Sequence, residues 1–509
     1  MKTQKMLAVT TVVVAIIMLA SCSKESTTVS KPQFKAGAAI SGDSLTSGAS
    51  NPVKGTMLSG KTFYFSGPVY VNKGDTLVMQ SGVKLLAKSP RAMLIINGVF
   101  ISLGTKQNPN WITGVDAYNN PSQYKLTSYT DPNSDPGLTS GGNAGTYPRQ
   151  WGGIQCGTTA TMFNVKWTHL DFAGGLVTNT SPVVTGFVYS AGNTLFATCF
   201  QNPAGVYILE DSWIYGTTSD VARITHGSVH FMRNTVEKVG YNDGDAFNTK
   251  GEASGNMAYN LFIGTSKGGT KASAKGPSSG GPFPYGKVNM YNNTYVNCGY
   301  RSLDPDRGAN VDIEQGASGY VYNNIIVNCR TGIRFVESPV ADTVNSAYGN
   351  NLYYADSLNI AGQFMPSSHL GKYNTTDIPL PSSYYTFPNQ KYWFVVKGTP
   401  QAVAGGTWTN GYDATSLVRK NSPVFVNYPL PAPVGTATYG PHLGSMTWQG
   451  NSDFHLQSSS PAIGKGYTSF SAVVTPISSI TNPDLAATFT SPNIDLGAFP
   501  TDGTGNQHN

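Results

Sequence analysis

Two sets of charged residues sit at matched spacing in this chain, and chemistry can be built from them. Lys250 lies ten residues before Asn260, and Glu314 lies ten before Asn324. Asn248 and Asp312 each lie twelve before the same two asparagines. If those asparagines mark equivalent turns, the four residues share one register. Phe247 and Thr249, like Val311 and Ile313, are their alternating neighbours. Successive side chains of an extended strand point to opposite faces, so the polar set turns outward as the other set turns inward. One repeat separates the two sets, placing them roughly 10 Å apart along a stack of strands. The next repeat offers Arg334 outward between Ile333 and Phe335, and the preceding one offers Arg223, or Thr225 if the register slips by one. The expected stripe is Arg223, Asn248, Lys250, Asp312, Glu314 and Arg334.

Two loops enter the stripe from the same side. DGDA carries Asp243 and Asp245, and YRSLDPDRG carries Arg301, Asp304, Asp306 and Arg307. The Gly/Ser-rich segment 265–286, with Lys267, Lys271 and Lys275, is expected to roof it. This mixture suits uronic-acid chemistry. β-Elimination needs a base for the proton α to the sugar carboxylate, and positive charge for the dianion that develops. Lys250, with its pKa lowered, is the candidate base. Arg307 and Arg334 are the catalytic candidates for gripping the carboxylate bidentately. Arg223, Asn248 and Arg301 are candidate substrate-binding residues. Asp243, Asp245, Asp312 and Glu314 are candidate ligands for Ca²⁺, which can neutralise the same carboxylate.

Two other readings use the same residues. Glycoside hydrolysis needs two carboxyl groups ~5–9 Å apart, and Asp304, Asp306, Asp312 and Glu314 supply candidates. His226 and His230 are the nearest imidazoles, although a histidine at a strand end is more often structural. The third reading has no chemistry: charges on neighbouring coils pair with one another, and Trp408, Trp448, Tyr384 and Tyr385 offer rings to a glycan in a binding or adhesive protein.

The elements that must position these residues are short strands in a repeat. MYNNTYVNCG (290–299) matches VYNNIIVNCR (321–330), and AYNLFIG, FMRNTVE, ILEDSWI and YGNNLYY follow the same pattern. The ladder is Asp211, Asn234, Asn260, Asn293, Asn324 and Asn351, in steps of 23, 26, 33, 31 and 27 residues. Strands at such a period, without amphipathic helices, point to an all-β solenoid. Asx residues tolerate the left-handed backbone of a tight turn, and stacked turns can bond side chain to side chain. Cys298 and Cys329 occupy one repeat position 31 residues apart, open to either a disulfide or a pair of buried thiols.

GVFISLGTKQNPNWIT (98–113) and QWGGIQC (150–156) resemble the opening coils of bacterial right-handed parallel β-helix proteins. NSPVFVNYP (421–429), DFHLQSSSPAIGKG (453–466) and NIDLGAFP (493–500) resemble the closing segment of pectate-lyase-like β-helix proteins. The resemblance covers roughly 60–357 and 421–500. It implies a right-handed parallel β-helix of on the order of a dozen coils. It does not imply one activity, because lyases, hydrolases, epimerases and non-enzymatic surface proteins share the fold.

At the N-terminus, Lys2 and Lys5 precede an apolar run, Leu7 to Leu19, that is too short to span a membrane well. Leu19-Ala20-Ser21-Cys22 resembles a bacterial lipobox, and the SCSKES start resembles Bacteroidetes-type lipoproteins. That resemblance implies cleavage before Cys22, lipidation of its thiol, and an outer-membrane lipoprotein on the cell surface or periplasmic face, attached through its lipid alone. The expected divisions are a signal peptide (1–21), a tether (22–58), the β-helix (59–357), an irregular insertion (358–420), and C-terminal coils with a cap (421–509). The formal charge is +6, or 6 − 2 = +4 without Lys2 and Lys5, and there is no basic run, so nucleic acid is excluded as a partner. The expectation is a monomer that recognises a polysaccharide.

Overall fold

A computed structural model describes residues 37–120, 149–175, 194–240, 244–274, 285–299, 309–329, 331–335, 341–342, 344–354, 391–396, 399–404, 422–428, 452–473, 482 and 484–508. Among the described residues from Gly55–Met57 to Leu352–Tyr354 the chain is a succession of three- to six-residue strands, with one short helix, Val115–Asn119. Each pairs in parallel with the third strand before it and the third after it, giving three sheets of ten, ten and nine strands. This is a right-handed parallel β-helix. Alternation builds its interior: every coil turns inward residues such as Phe163, Tyr207, Phe231, Phe247, Phe262 and Tyr295 into one continuous core. Equivalent rings stack from coil to coil, as Phe163 does on Tyr207 at 4.3 Å.

The turn between the first and second sheets explains the repeat. Asn293 Nδ2 donates to Asn324 Oδ1 at 3.1 Å and to the Met257 carbonyl at 2.9 Å. Its Oδ1 accepts from Asn260 Nδ2 and from the Asn260 backbone N–H, both at 3.0 Å. Asn234, Asn260, Asn324 and Asn351 continue the same pattern. The residue just before each ladder position takes the left-handed conformation: Trp167, Asp211, Arg233, Tyr259, Asn292, Asn323 and Asn350 have φ between 48° and 62°. Asp211 therefore belongs one position earlier than the sequence pattern placed it. Leu209 pairs with Phe231 and Glu210 with Met232, so Ser212 is the partner of Asn234, and its N–H donates to Asn234 Oδ1 at 3.1 Å.

The ends differ from expectation. The tether does not reach residue 58. The chain already lies against the first coil at Ile40 and Leu45, whose N–H groups donate to Thr56 and Tyr64, and Leu45 is buried. Within the segment read as irregular, Lys391–Val396 pairs antiparallel with Thr399–Ala404, beside the last strands of the first two sheets. The C-terminal segment adds no coil among the described residues. It is a strap along the side of the helix. Phe425, Phe454, Leu496 and Phe499 cover the outward residues Leu261, Val296, Ile325 and Leu352 of the second sheet. Outward side chains of the first sheet and its turn grip the strap backbone: Asn256 bonds both N–H and carbonyl of Val473, and Asn323 those of Tyr467. Cys156, Cys199, Cys298 and Cys329 are buried thiols, none of them in a disulfide.

Candidate functional site

Five neighbouring strands of the third sheet carry the site: Ala222–Ile224, Phe247–Lys250, Thr270–Ser273, Ala309–Glu314 and Thr331–Phe335. Their register aligns Arg223, Asn248, Lys271, Asp312 and Arg334 in one row. Lys250, Ser273 and Glu314 align in a second. The residues between them, Phe247, Val311, Ile313, Ile333 and Phe335, are in the core. The stripe expected from ten- and twelve-residue offsets is thus assembled, with one residue added. Lys271 is not on a flexible roof but on the strand of the intervening coil, between the two acidic and basic sets.

The row is an ion-pair network. Arg334 holds Asp312 through two bonds, Nε to Oδ1 at 3.0 Å and Nη2 to Oδ2 at 2.7 Å, and approaches Glu314 Oε2 at 3.3 Å. Lys271 Nζ lies 2.9 Å from Glu314 Oε1, 3.3 Å from Asp312 Oδ2 and 4.0 Å from Asp245 Oδ2. Lys250 Nζ lies 3.7 Å from Glu314 Oε1. At the other end Arg223 pairs with Asp220 at 2.7 Å and lies over the Phe196 ring. Asp220 also accepts from Asn248 Nδ2 and the Asp245 N–H. Among the described residues, Arg223, Lys250, Lys271 and Arg334 thereby face Asp220, Asp245, Asp312 and Glu314.

Burial changes the meaning of the stripe. Outward here does not mean open to solvent: the side chains of Lys271, Asp312, Glu314 and Arg334 are 6% exposed, against 10% for Lys250 and 25% for Arg223. A buried ammonium is disfavoured unless its pairing compensates. Burial, followed by the charge of Lys271, pushes the Lys250 amine down to about 7 against the pull of Glu314. Burial and Asp312 push Glu314 up, but Lys271 and Lys250 outweigh them and hold its carboxyl below the ordinary value. Burial raises Asp245, against the attraction of Lys271.

Other candidates fall elsewhere. His226 bonds Thr225 Oγ1 at 3.0 Å on the turn after the Arg223 strand. His230 is on the first sheet, 3.0 Å from Glu210 and against Phe489 of the strap, so it is no part of this site. Asp243, Arg301, Asp304, Asp306, Arg307, Lys275, Tyr384, Tyr385, Trp408, Trp448 and Cys22 lie outside the described residues. Among the described residues no three His, Cys, Asp or Glu side chains gather as a metal-holding group. Asp245, Asp312 and Glu314 do not fit a Ca²⁺ site, because their oxygens face Lys271 and Arg334. Asp220 was missed in the sequence, and Lys271 was read as part of a loop over the stripe. Lys271 alternates with Thr270 and Ala272, a four-residue strand signal inside a Gly/Ser tract. Asp220 had only its position three residues before Arg223.

Comparison with protein-family models, with curated proteins and with solved structures returns no match to this chain.

Proposed function

We propose that this chain is a monomeric outer-membrane lipoprotein, anchored through Cys22, that binds an acidic polysaccharide over the third sheet and cleaves it by β-elimination. One observation carries the catalytic part: Lys250, 10% exposed and 3.7 Å from Glu314, is a lysine whose amine is held down to about 7 in a network that buries its charges. A neutral amine at that edge takes the proton α to the sugar carboxylate. The resulting ammonium can return the proton to the departing glycosidic oxygen. Arg223, the most exposed cation of the row, faces the substrate carboxylate, and Asn248 stands beside it. Lys271 and Arg334 supply positive field from behind. Arg301 and Arg307 stay with the proposal as further substrate contacts. No step is routed through Ca²⁺.

The test is incubation with pectic, alginate and glycosaminoglycan panels, read at the ultraviolet absorbance of unsaturated uronides. Lys250→Gln should abolish the signal while the chain stays folded. Reducing ends without that absorbance would indicate hydrolysis by carboxylates of the same network. The second reading, a non-catalytic glycan-binding or adhesive protein, is favoured by the pairing of Arg223, Lys271 and Arg334 with buried carboxylates. Binding without products supports it. The pectate-lyase-like kinship and the anchor belong to the same proposal, and Cys22→Ala should release the protein from membranes.

A further inference from the structure

We infer that the ammonium of Lys271 is the resident cation of the acidic cluster, seated where three carboxylates converge and taking the place of a divalent ion. A lysine ammonium has three N–H donors and no acceptor, and needs three acceptors when buried. Among the described residues three carboxylate oxygens lie around Lys271 Nζ: Glu314 Oε1 at 2.9 Å and Asp312 Oδ2 at 3.3 Å within hydrogen-bond reach, and Asp245 Oδ2 at 4.0 Å as an ion-pair neighbour. They come from two coils. Asp245 precedes the strand Phe247–Lys250, and Asp312 and Glu314 lie on Ala309–Glu314. The strand Thr270–Ser273 runs between those coils, paired to both. Its side chain at position 271 therefore projects midway between them.

The spacing suits an ammonium better than a metal. Ca²⁺ takes oxygens at about 2.3–2.6 Å and wants six to eight of them. The carboxylates are also held from closing further. Asp312 is gripped at both oxygens by Arg334, Glu314 Oε2 faces the same guanidinium, and Asp245 Oδ1 accepts the Gly268 N–H at 3.1 Å. A divalent ion would enter beside a buried ammonium and a buried guanidinium. This inference holds whether or not the chain turns over a glycan, so its failure and that of the proposed activity are separable.

The experiment is thermal melting of the full chain in millimolar Ca²⁺ and in chelator, for wild type, Lys271→Met and Lys271→Arg. Wild type should melt at one temperature in both buffers. Lys271→Met should fall by about 5 °C or more in chelator, since it leaves buried carboxylates short of a cation. Millimolar Ca²⁺ should restore little of that fall, because Arg334 and the Gly268 N–H still hold the carboxylates apart, and Lys271→Arg should show little of the fall. Wild type stabilised by Ca²⁺, with the gain lost in Asp312→Asn, would overturn the inference. So would a Lys271→Met protein that melts with wild type in chelator, or one that Ca²⁺ returns to the wild-type melting temperature. If Lys271→Met does not fold, Lys271→Gln replaces it and the wild-type arm stands unchanged.

Discussion

Asn293→Ala separates a hydrogen-bond ladder from simple packing. The Asn293 side chain is fully buried and makes four contacts. It accepts from Asn260 N–H and Asn260 Nδ2, and donates to Met257 O and Asn324 Oδ1. Alanine leaves two donors of Asn260 without an acceptor. Asn324 Oδ1 keeps the Asn293 backbone N–H, at 2.9 Å. Each orphaned buried donor costs about 1–3 kcal/mol, so the loss should be about 3 kcal/mol after partial relaxation. Asn293→Asp is the sharper variant. It keeps the shape and the acceptor, but turns a carboxylate oxygen toward Met257 O and Asn324 Oδ1. Asp should therefore destabilise more than Ala, although it is nearly isosteric. The midpoint of urea unfolding measures both losses. Hydrogen exchange of the Asn260 amide, bonded to Asn293 Oδ1, should accelerate in Asn293→Ala. If Ala proves worse than Asp, or if both cost under about 1 kcal/mol, the ladder is packing alone and the reasoning fails.

Three further outcomes follow from burial. Lys250, at about 7 when folded against 10.5 ordinarily, lacks a proton that the unfolded chain holds between those values. Wild type should therefore gain stability relative to Lys250→Met as pH rises from about 7 to 10.5, and any eliminase rate should climb through about 7. Glu210 is buried beneath the strap. Burial alone would raise it, but His230, Lys166 and Arg233 hold it down to about 2 from 4.5. Its contribution is complete above 4.5 and is lost as pH falls to about 2. The strap near Thr488, whose N–H donates to Glu210, should then lose exchange protection in that window, and Glu210→Gln should remove the step. Finally, Cys156, Cys199, Cys298 and Cys329 should resist thiol reagents in the folded chain and all react once it is unfolded.

The coil register was legible because two independent periods agree. Asparagines that must both donate and accept recur once per coil, and inward Phe247, Val311 and Ile313 alternate with charged neighbours. Together they place Lys250 and Glu314 in one row two coils apart, with nitrogen and oxygen 3.7 Å from each other. Asp211 misled because a carboxylate resembles an amide in a pattern but cannot donate; Ser212, one residue on, can. Lys271 was hidden by composition, since lysine among Gly, Ser and Thr reads as loop unless its two-residue alternation is followed. The strap was illegible because nothing local encodes it. Its contacts with the coils join residues 100 to 321 positions apart, such as Asn328 with Tyr428 and Asn164 with Leu485.

Burial matters most for function, because alternation fixes which side of a strand a residue takes and says nothing of what lies over it. Arg334 looked like a substrate clamp in the sequence, yet both Asp312 oxygens and Glu314 already occupy it. A guanidinium so engaged must break a buried bidentate pair before it can bind a ligand, at a cost of several kcal/mol. Arg223 lies 25% exposed at the opposite end of the row, and Lys250 stands on the next coil. On the proposed function, an acidic sugar would therefore meet the network from the Arg223 side. The residues beyond Lys271 then serve to set the charge of what the sugar touches, and need not touch it themselves.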